Sequence, residues 1–213
     1  MKDYIILVGL WMMYGMVHSL FAASRIKALF KSGTGKWYRY YRIVYSVFST
    51  LLLIPVLWFQ FAIPIKLLFE RQVWTVFTGI LMMTAGIMIM MVSFRQYDPG
   101  EFLGFRQIRN REKEQILQQE GVLGIIRHPL YSGSILALLG LIVFFPDLAI
   151  LVMCMILILY FLVGILIEEK KLIAEFGEEY IDYRHRVPAL IPSWKVLSGK
   201  RKTVSRNKKL KKK

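Results

Sequence analysis

The residues able to do chemistry fall into two short polar stretches. The first is Arg127-His128-Pro129-Leu130-Tyr131-Ser132-Gly133; the second opens with Glu168-Glu169-Lys170-Lys171 and closes with Tyr180, Tyr183, Arg184 and Pro188. Pro129 suits the first position of a helix, where a missing N–H costs nothing, and this puts His128 near the N-cap. The free N–H groups of such a helix start attract carboxylates and phosphates, and the Arg127 guanidinium could grip either in a bidentate contact. Tyr131 adds an aromatic platform or a hydroxyl, and Gly133 permits close approach of a ligand or a helix. In the second stretch, Glu168 and Glu169 are expected to end a helix, which is the wrong terminus for acids. Their expected partners are a bound cation, ligand hydroxyls, or the cationic side chains of Arg127, Lys170 and Lys171. Leu172, Phe176, Tyr180 and Tyr183 recur at helical spacing and predict one face of a single interfacial amphipathic helix.

Two apolar runs, residues 130–145 and 148–167, separate these stretches and are joined at Pro146-Asp147. If the hairpin crosses a membrane and returns, both polar stretches meet at one membrane face. Composition supports the crossing. The chain is 56% hydrophobic with a mean hydropathy of +0.47, and its apolar blocks approach or exceed the ~20 residues that span hydrocarbon. Residues 4–23, 43–65 and 73–94 supply three more blocks. The first is too long, and too poor in basic residues ahead of it, for a cleavable signal peptide. The predicted fold is therefore an all-α integral membrane protein with about five transmembrane helices and a cytoplasmic C-terminal amphipathic helical segment. One domain is expected over residues 1–198, with its motif core at 121–192, followed by a basic, disordered tail at 199–213.

The formal net charge is +15. In a soluble chain that would indicate nucleic acid. Here the basic residues fill alternate connections and the tail, which indicates orientation and anionic headgroups instead, and no nucleic-acid partner is expected. Arg25, Lys27, Lys31, Lys36, Arg39 and Arg42 crowd the first connection, with an aromatic belt at Trp37, Tyr38, Tyr40 and Tyr41. Arg106, Arg109, Arg111 and Lys113 mark the long 95–121 connection, whose length suggests a functional role. The connections near Glu70 and Asp147 carry little charge. The expected topology has the N-terminus outside and the C-terminus cytoplasmic, in a prokaryotic inner membrane. Gly79 and Gly86 share one helix face, as do Gly133, Ala137 and Gly140, and both faces predict close helix packing. Pro55 is expected to kink the second span. The methionines of the third span suit adaptable packing rather than a metal site, and no metal is expected. Cys154, the single cysteine, is expected to be a small buried hydrophobe. His18-Ser19, a polar pair inside the first span, faces protein or a cavity; it is either a hydrogen-bonded interfacial pair or a ligand contact.

An anion site, carboxylates and aromatic surfaces at one interface suit a zwitterionic, cationic, nucleotide-like ligand. S-adenosylmethionine, with its carboxylate, ammonium, ribose diol, adenine and sulfonium, matches that description without being its unique solution.

The two-part pattern is more specific. Arg-His-Pro-x-Tyr-x-Gly, a short hairpin, and then Glu-Glu-x-x-Leu-x-x-x-Phe-Gly-x-x-Tyr-x-x-Tyr-x-x-x-Val-Pro resembles the isoprenylcysteine carboxyl methyltransferase and phospholipid methyltransferase superfamily over residues 121–192. His18-Ser19 and Phe-Leu-Gly-Phe-Arg-Gln at 102–107 bear a slighter likeness to the NnrU-like and methanethiol S-methyltransferase branch. The lead-in Gly-Val-Leu-Gly-Ile-Ile departs from the Gly-Pro-Tyr type that relatives often carry. The resemblance implies an S-adenosylmethionine-dependent membrane methyltransferase. It assigns His128, Pro129, Tyr131 and Gly133 to cofactor binding, beside Arg127, and Glu168, Glu169, Tyr180, Tyr183 and Arg184 to the pocket. It also implies a direct in-line displacement on a small or lipophilic acceptor: a thiol, an isoprenylcysteine carboxylate or a lipid amine. A thiol would need deprotonation, for which His18, His128 and Glu168 are the catalytic candidates. The competing readings are a membrane reductase using a nicotinamide cofactor and a haem-dependent isomerase with His18 as a ligand.

Overall fold

The computed structural model describes residues 1–95 and 116–193, apart from the side chains of Ser24 and Lys36. Seven α-helices lie within these residues: α1 (Lys2–Ala22), α2 (Ser24–Thr34), α3 (Tyr41–Ala62), α4 (Val73–Phe94), α5 (Pro129–Phe144), α6 (Leu148–Phe176) and α7 (Glu178–Arg186). α1, α3, α4 and α6 are long and apolar enough to cross a membrane, and α5 is a shorter apolar helix. Large hydrophobic side chains such as Ile54, Trp58, Phe61, Phe77 and Leu81 stand exposed around the bundle. A helix that is apolar on every side needs lipid or protein around it, as in an integral membrane bundle. The expected 102–107 motif and the 199–213 tail lie outside the described residues.

α1 packs between α3 and α6, α6 packs on α5, and α5 packs on α4. The α4–α5 contact is the most extensive among the described helices, and the two predicted small-residue faces make it by meeting each other. A Cβ placed on Gly86 would come within 2.5 Å of the Gly133 carbonyl oxygen, and one on Gly140 within 2.7 Å of the Met83 nitrogen. On the other side of the bundle, Leu7, Trp11, Val56, Ala149, Met153 and Cys154 form the apolar core. Gln60 bridges three helices there. Trp11 Nε1 donates to its Oε1 at 2.8 Å, and its Nε2 reaches Met153 Sδ at 3.3 Å.

The two charge-poor connections sit together at one end. Leu68 N donates to Pro146 O at 2.7 Å and Leu148 N to Lys66 O at 3.0 Å. Asp147 caps α6, accepting from Ala149 N at 2.9 Å, while its other oxygen accepts from Lys66 N at 2.7 Å. The polar stretches at 127–133 and 168–188 therefore share the opposite end, as the hairpin argument predicts.

Three expectations are corrected. The first basic connection is not a loop: α2 and a 3-10 turn at Gly35–Tyr40 occupy it. Glu168 and Glu169 do not end a helix, because α6 runs unbroken to Phe176, and this removes the unfavourable dipole position argued for them. The stripe from Leu172 to Tyr183 is not one helix. Gly177, at φ +55°, breaks it, a backbone geometry that glycine adopts without strain, and α7 folds back against the end of α6.

Candidate functional site

His128 is the N-cap of α5 and Pro129 its first residue, so the local reading of Arg-His-Pro holds. The start of α5 is held by long-range contacts. Arg127 Nε donates to Glu169 Oε1 at 3.1 Å, and its Nη2 donates to the same oxygen. Its Nη1 donates to Arg184 O at 2.9 Å and also to Val187 O. One guanidinium thus ties α5, α6 and the end of α7 together. Arg127 is spent on the protein's own acceptors rather than left free for an anionic ligand.

Glu169 is the centre of this node and is buried, at 7% exposure. His128 Nε2 lies 3.3 Å from Glu169 Oε1, and Arg184 Nε lies 3.5 Å from Oε2. A carboxylate in that position has exchanged water for nitrogens of three side chains, the arrangement that makes burial of a charge tolerable. Glu168, one residue earlier and about 100° around the helix, points elsewhere. Its side chain is 43% exposed and stands 3.8 Å from His128 Nδ1. His128, itself 4% exposed, therefore sits between the two glutamates, one structural and one open.

A feature missed by the sequence reading is the strap that follows α7. Arg127 N donates to Pro188 O at 2.9 Å and His128 N to Ala189 O at 3.0 Å. Ser132 Oγ donates to Leu190 O at 2.7 Å. Residues 187–190 thus run across the entry of α5. The available signal was Pro188, because the residue before a proline is pushed to extended backbone; Val187 has φ −120° and ψ 127°.

Tyr180 and Tyr183 do not form an exposed helix face. Both are buried, with Val187, Leu172 and Phe176, in a small second core. Tyr183 Oη donates to Leu123 O at 2.6 Å. Tyr180 Oη is buried without a hydrogen-bond partner among the described residues. Burial, followed by the nearby Glu169 charge, pushes the Tyr180 phenol up to about 12, although the nearby Arg127 guanidinium favours the ionised phenol. It is thus a neutral donor throughout the physiological range.

A cavity of about 510 Å³ opens beside the node, lined by Arg127, Ile181, Arg184 and His185. The structure brings Arg127, His128, Glu168, Glu169, Tyr180 and Arg184 to this one end. Gly133 is placed against α4, where its Cβ position lies 2.6 Å from Gly86 O, so its smallness serves helix packing. Tyr131 reaches the membrane layer: its ring meets His128 at 5.8 Å and Phe161 at 5.7 Å. His18 is not part of the node; it lies among α1, α3 and α6.

The phospholipid methyltransferase family profile matches residues 74–179, from the start of α4 to the first turn of α7. The chain is 32% identical over 195 residues to a methanethiol S-methyltransferase of Crocosphaera subtropica, covering 87% of this chain and 73% of that one. It is 27% identical over 190 residues to methanethiol S-methyltransferase 1 of Bradyrhizobium diazoefficiens, covering 84% of this chain and 64% of that one. It is 32% identical over 83 residues to a protein-S-isoprenylcysteine O-methyltransferase of Schizosaccharomyces pombe, covering 38% and 35%. No solved structure matches the chain.

Proposed function

The chain belongs to the phospholipid methyltransferase family, and from that premise we propose that it transfers a methyl group from S-adenosylmethionine to a small thiol. The observation that carries the donor site is the pairing of a half-exposed Glu168 with buried His128 at the mouth of the node. The residues present fit such a donor. Tyr180 Oη is an orphaned buried hydroxyl next to the node, and leaving such a group unpaired costs ~1–3 kcal/mol. A ligand acceptor would relieve it. Glu168 suits an ammonium or a ribose diol, and Arg184, half-exposed on the cavity wall, suits a carboxylate.

When bound, the donor supplies a methyl group already activated on sulfur, so no covalent enzyme intermediate is required. The chain's own work is then to bind, align and exclude water. Holding two reactants in line contributes ~7–11 kcal/mol in good cases. Glu169 and Arg127 keep the α5 entry and α7 in register; Glu168 and Arg184 orient the donor. The preference for a thiol rests on the methanethiol S-methyltransferases that the chain resembles over most of its length.

Calorimetric titration of the purified protein with S-adenosylmethionine, S-adenosylhomocysteine and NADPH tests this reading. The first two are expected to bind and NADPH is not. Glu168→Gln is expected to weaken S-adenosylhomocysteine binding about tenfold, the loss of a hydrogen bond to a charged group at ~1.5 kcal/mol. Unchanged affinity in that variant would take Glu168 out of the site.

The proposed orientation places the node and α2 at the cytoplasmic face, with anionic lipid around the basic residues. Reporter fusions after Lys31 should read cytoplasmic, and fusions near Glu70 and Asp147 external. An external signal from the Lys31 fusion would reverse the topology.

A further inference from the structure

A second polar cluster lies in the membrane layer, away from the node. Tyr45 Oη stands 2.9 Å from His18 Nε2 and 3.0 Å from Nδ1, and Ser49 Oγ stands 3.3 Å from Nδ1. The Tyr14 ring stacks on His18 at 5.8 Å. On α6, Tyr160 Oη pairs with Ser19 Oγ at 2.9 Å. An imidazole, three phenols and two hydroxyls thus gather from α1, α3 and α6 within spans that are otherwise apolar. His18 and its three tyrosines are only half-buried, so the cluster faces outward from the packed core rather than filling it. Structural polar bridging in this bundle looks different: Gln60 and Trp11 are both buried, whereas in the cluster only Ser49 is. Ionisable groups inside a membrane are expensive and mark sites.

The cluster is joined to the node by a continuous aromatic wall. The His128 ring meets Tyr131, Tyr131 meets Phe161, and Phe161 meets Tyr160 at 6.2 Å. Gly164 leaves room for Tyr131, whose Oη would lie 3.5 Å from a Cβ there. Tyr160 precedes Glu168 by about two turns, ~12 Å along the axis. The cluster therefore sits one small-molecule length deeper than the carboxylate that faces the donor.

Resting on the methyltransferase reading above, we propose that His18, positioned by Tyr45 and Ser49, is the proton acceptor for a small thiol bound in this cluster. The thiol S–H bond breaks and its proton passes to an imidazole nitrogen of His18. The thiolate lone pair then forms the new S–C bond to the methyl carbon as the donor's S–C bond breaks. The products are a neutral thioether, neutral S-adenosylhomocysteine and a protonated His18, which returns its proton to water before the next turnover. Among the described residues, Tyr14, Tyr45 and Tyr160 are the titratable groups gathered around the imidazole from the packed helices.

The test uses the full chain in detergent with ethanethiol as the probe. His18→Ala and Tyr45→Phe should bind S-adenosylhomocysteine as the natural protein does, which shows the fold and donor site intact. Methyl transfer at neutral pH should fall ~100-fold or more in His18→Ala, within the usual range for general-base loss, and less in Tyr45→Phe. In His18→Ala the rate should climb with hydroxide concentration, as solution thiolate replaces the lost base, and added imidazole should restore part of it. Independently of turnover, ethanethiol added to the natural protein should give the ultraviolet absorbance of bound thiolate, and His18→Ala should not. Unchanged rate, pH profile and thiolate absorbance in His18→Ala would overturn the proposal. Failure of the natural protein to bind S-adenosylhomocysteine would instead overturn the methyl-donor reading on which it rests.

Discussion

Glu169→Ala is expected to destabilise the protein by about 3–5 kcal/mol, the usual result of removing one partner from a buried ion pair. The Arg127 guanidinium, 7% exposed at the side chain, would keep its two carbonyl acceptors but lose its only counter-ion among the described residues. His128 would lose its contact to Oε1 and keep only Glu168 at 3.8 Å, and Arg184 would lose its contact to Oε2. The loss reaches further than one contact, because the same guanidinium holds the Arg184 and Val187 carbonyls and thus the strap over α5. Thermal unfolding in detergent, followed by circular dichroism, measures the effect. Arg127→Met combined with Glu169→Leu should be less unstable than the sum of the single changes, since an apolar pair leaves no stranded charge. Strict additivity would mean that the two side chains act independently and that the node is not a unit. Glu168→Gln, half-exposed, should leave the unfolding temperature nearly unchanged. That separates the glutamate that holds the fold from the one proposed to hold the donor.

Gly86→Ala is the second large effect. Its Cβ would fall 2.5 Å from Gly133 O and 2.7 Å from Ala137 N. Both are backbone atoms of α5, so no side-chain rotation relieves the clash and the helices must separate. Overpacking typically costs ~1–3 kcal/mol and more where backbone must move; about 3 kcal/mol or more is expected here. Without the interlock, α4 keeps little contact with the rest of the bundle. Gly9→Ala is the matched control. A Cβ there meets nothing within 4 Å, and removing a helical glycine stabilises by roughly 0.5–1 kcal/mol. If Gly86→Ala unfolds no more readily than Gly9→Ala, the close approach of α4 and α5 is wrong.

Much of the architecture was legible before the structure because it is written in local patterns. The span of α4 was read to the residue, and α1, α3 and α5 within a few residues, since run length alone tells a helix whether it reaches across hydrocarbon. The small-residue faces of α4 and α5 were legible because helical period is fixed, and each face needs a partner equally short of side chains. Pro129 after His128 announced the start of α5 through its missing N–H. The meeting of the two polar stretches followed from a hairpin whose arms share an end.

What the tertiary structure decided is everything that depends on how a helix is turned about its own axis. Glu168 and Glu169 are chemically identical neighbours; only the packing of α6 against α5 selects Glu169 for burial under Arg127 and leaves Glu168 open. The end of α6 was misplaced because the apolar run stops at Ile167 while the helix does not. Helix propensity and contacts with α7 carry it to Gly177, where a positive φ finally lets the chain turn back. Tyr180 and Tyr183 kept their predicted side of the chain but changed their role, because that turn lays them into a core instead of along an interface. His18 gave no sign of its partners, since Tyr45, Ser49 and Tyr160 lie on other helices at sequence distances no local period can relate. Local pattern fixes the apolar runs, their small-residue faces and the start of α5. The rotation and pairing of faces come from the long-range packing and ion pairing that only the folded bundle makes.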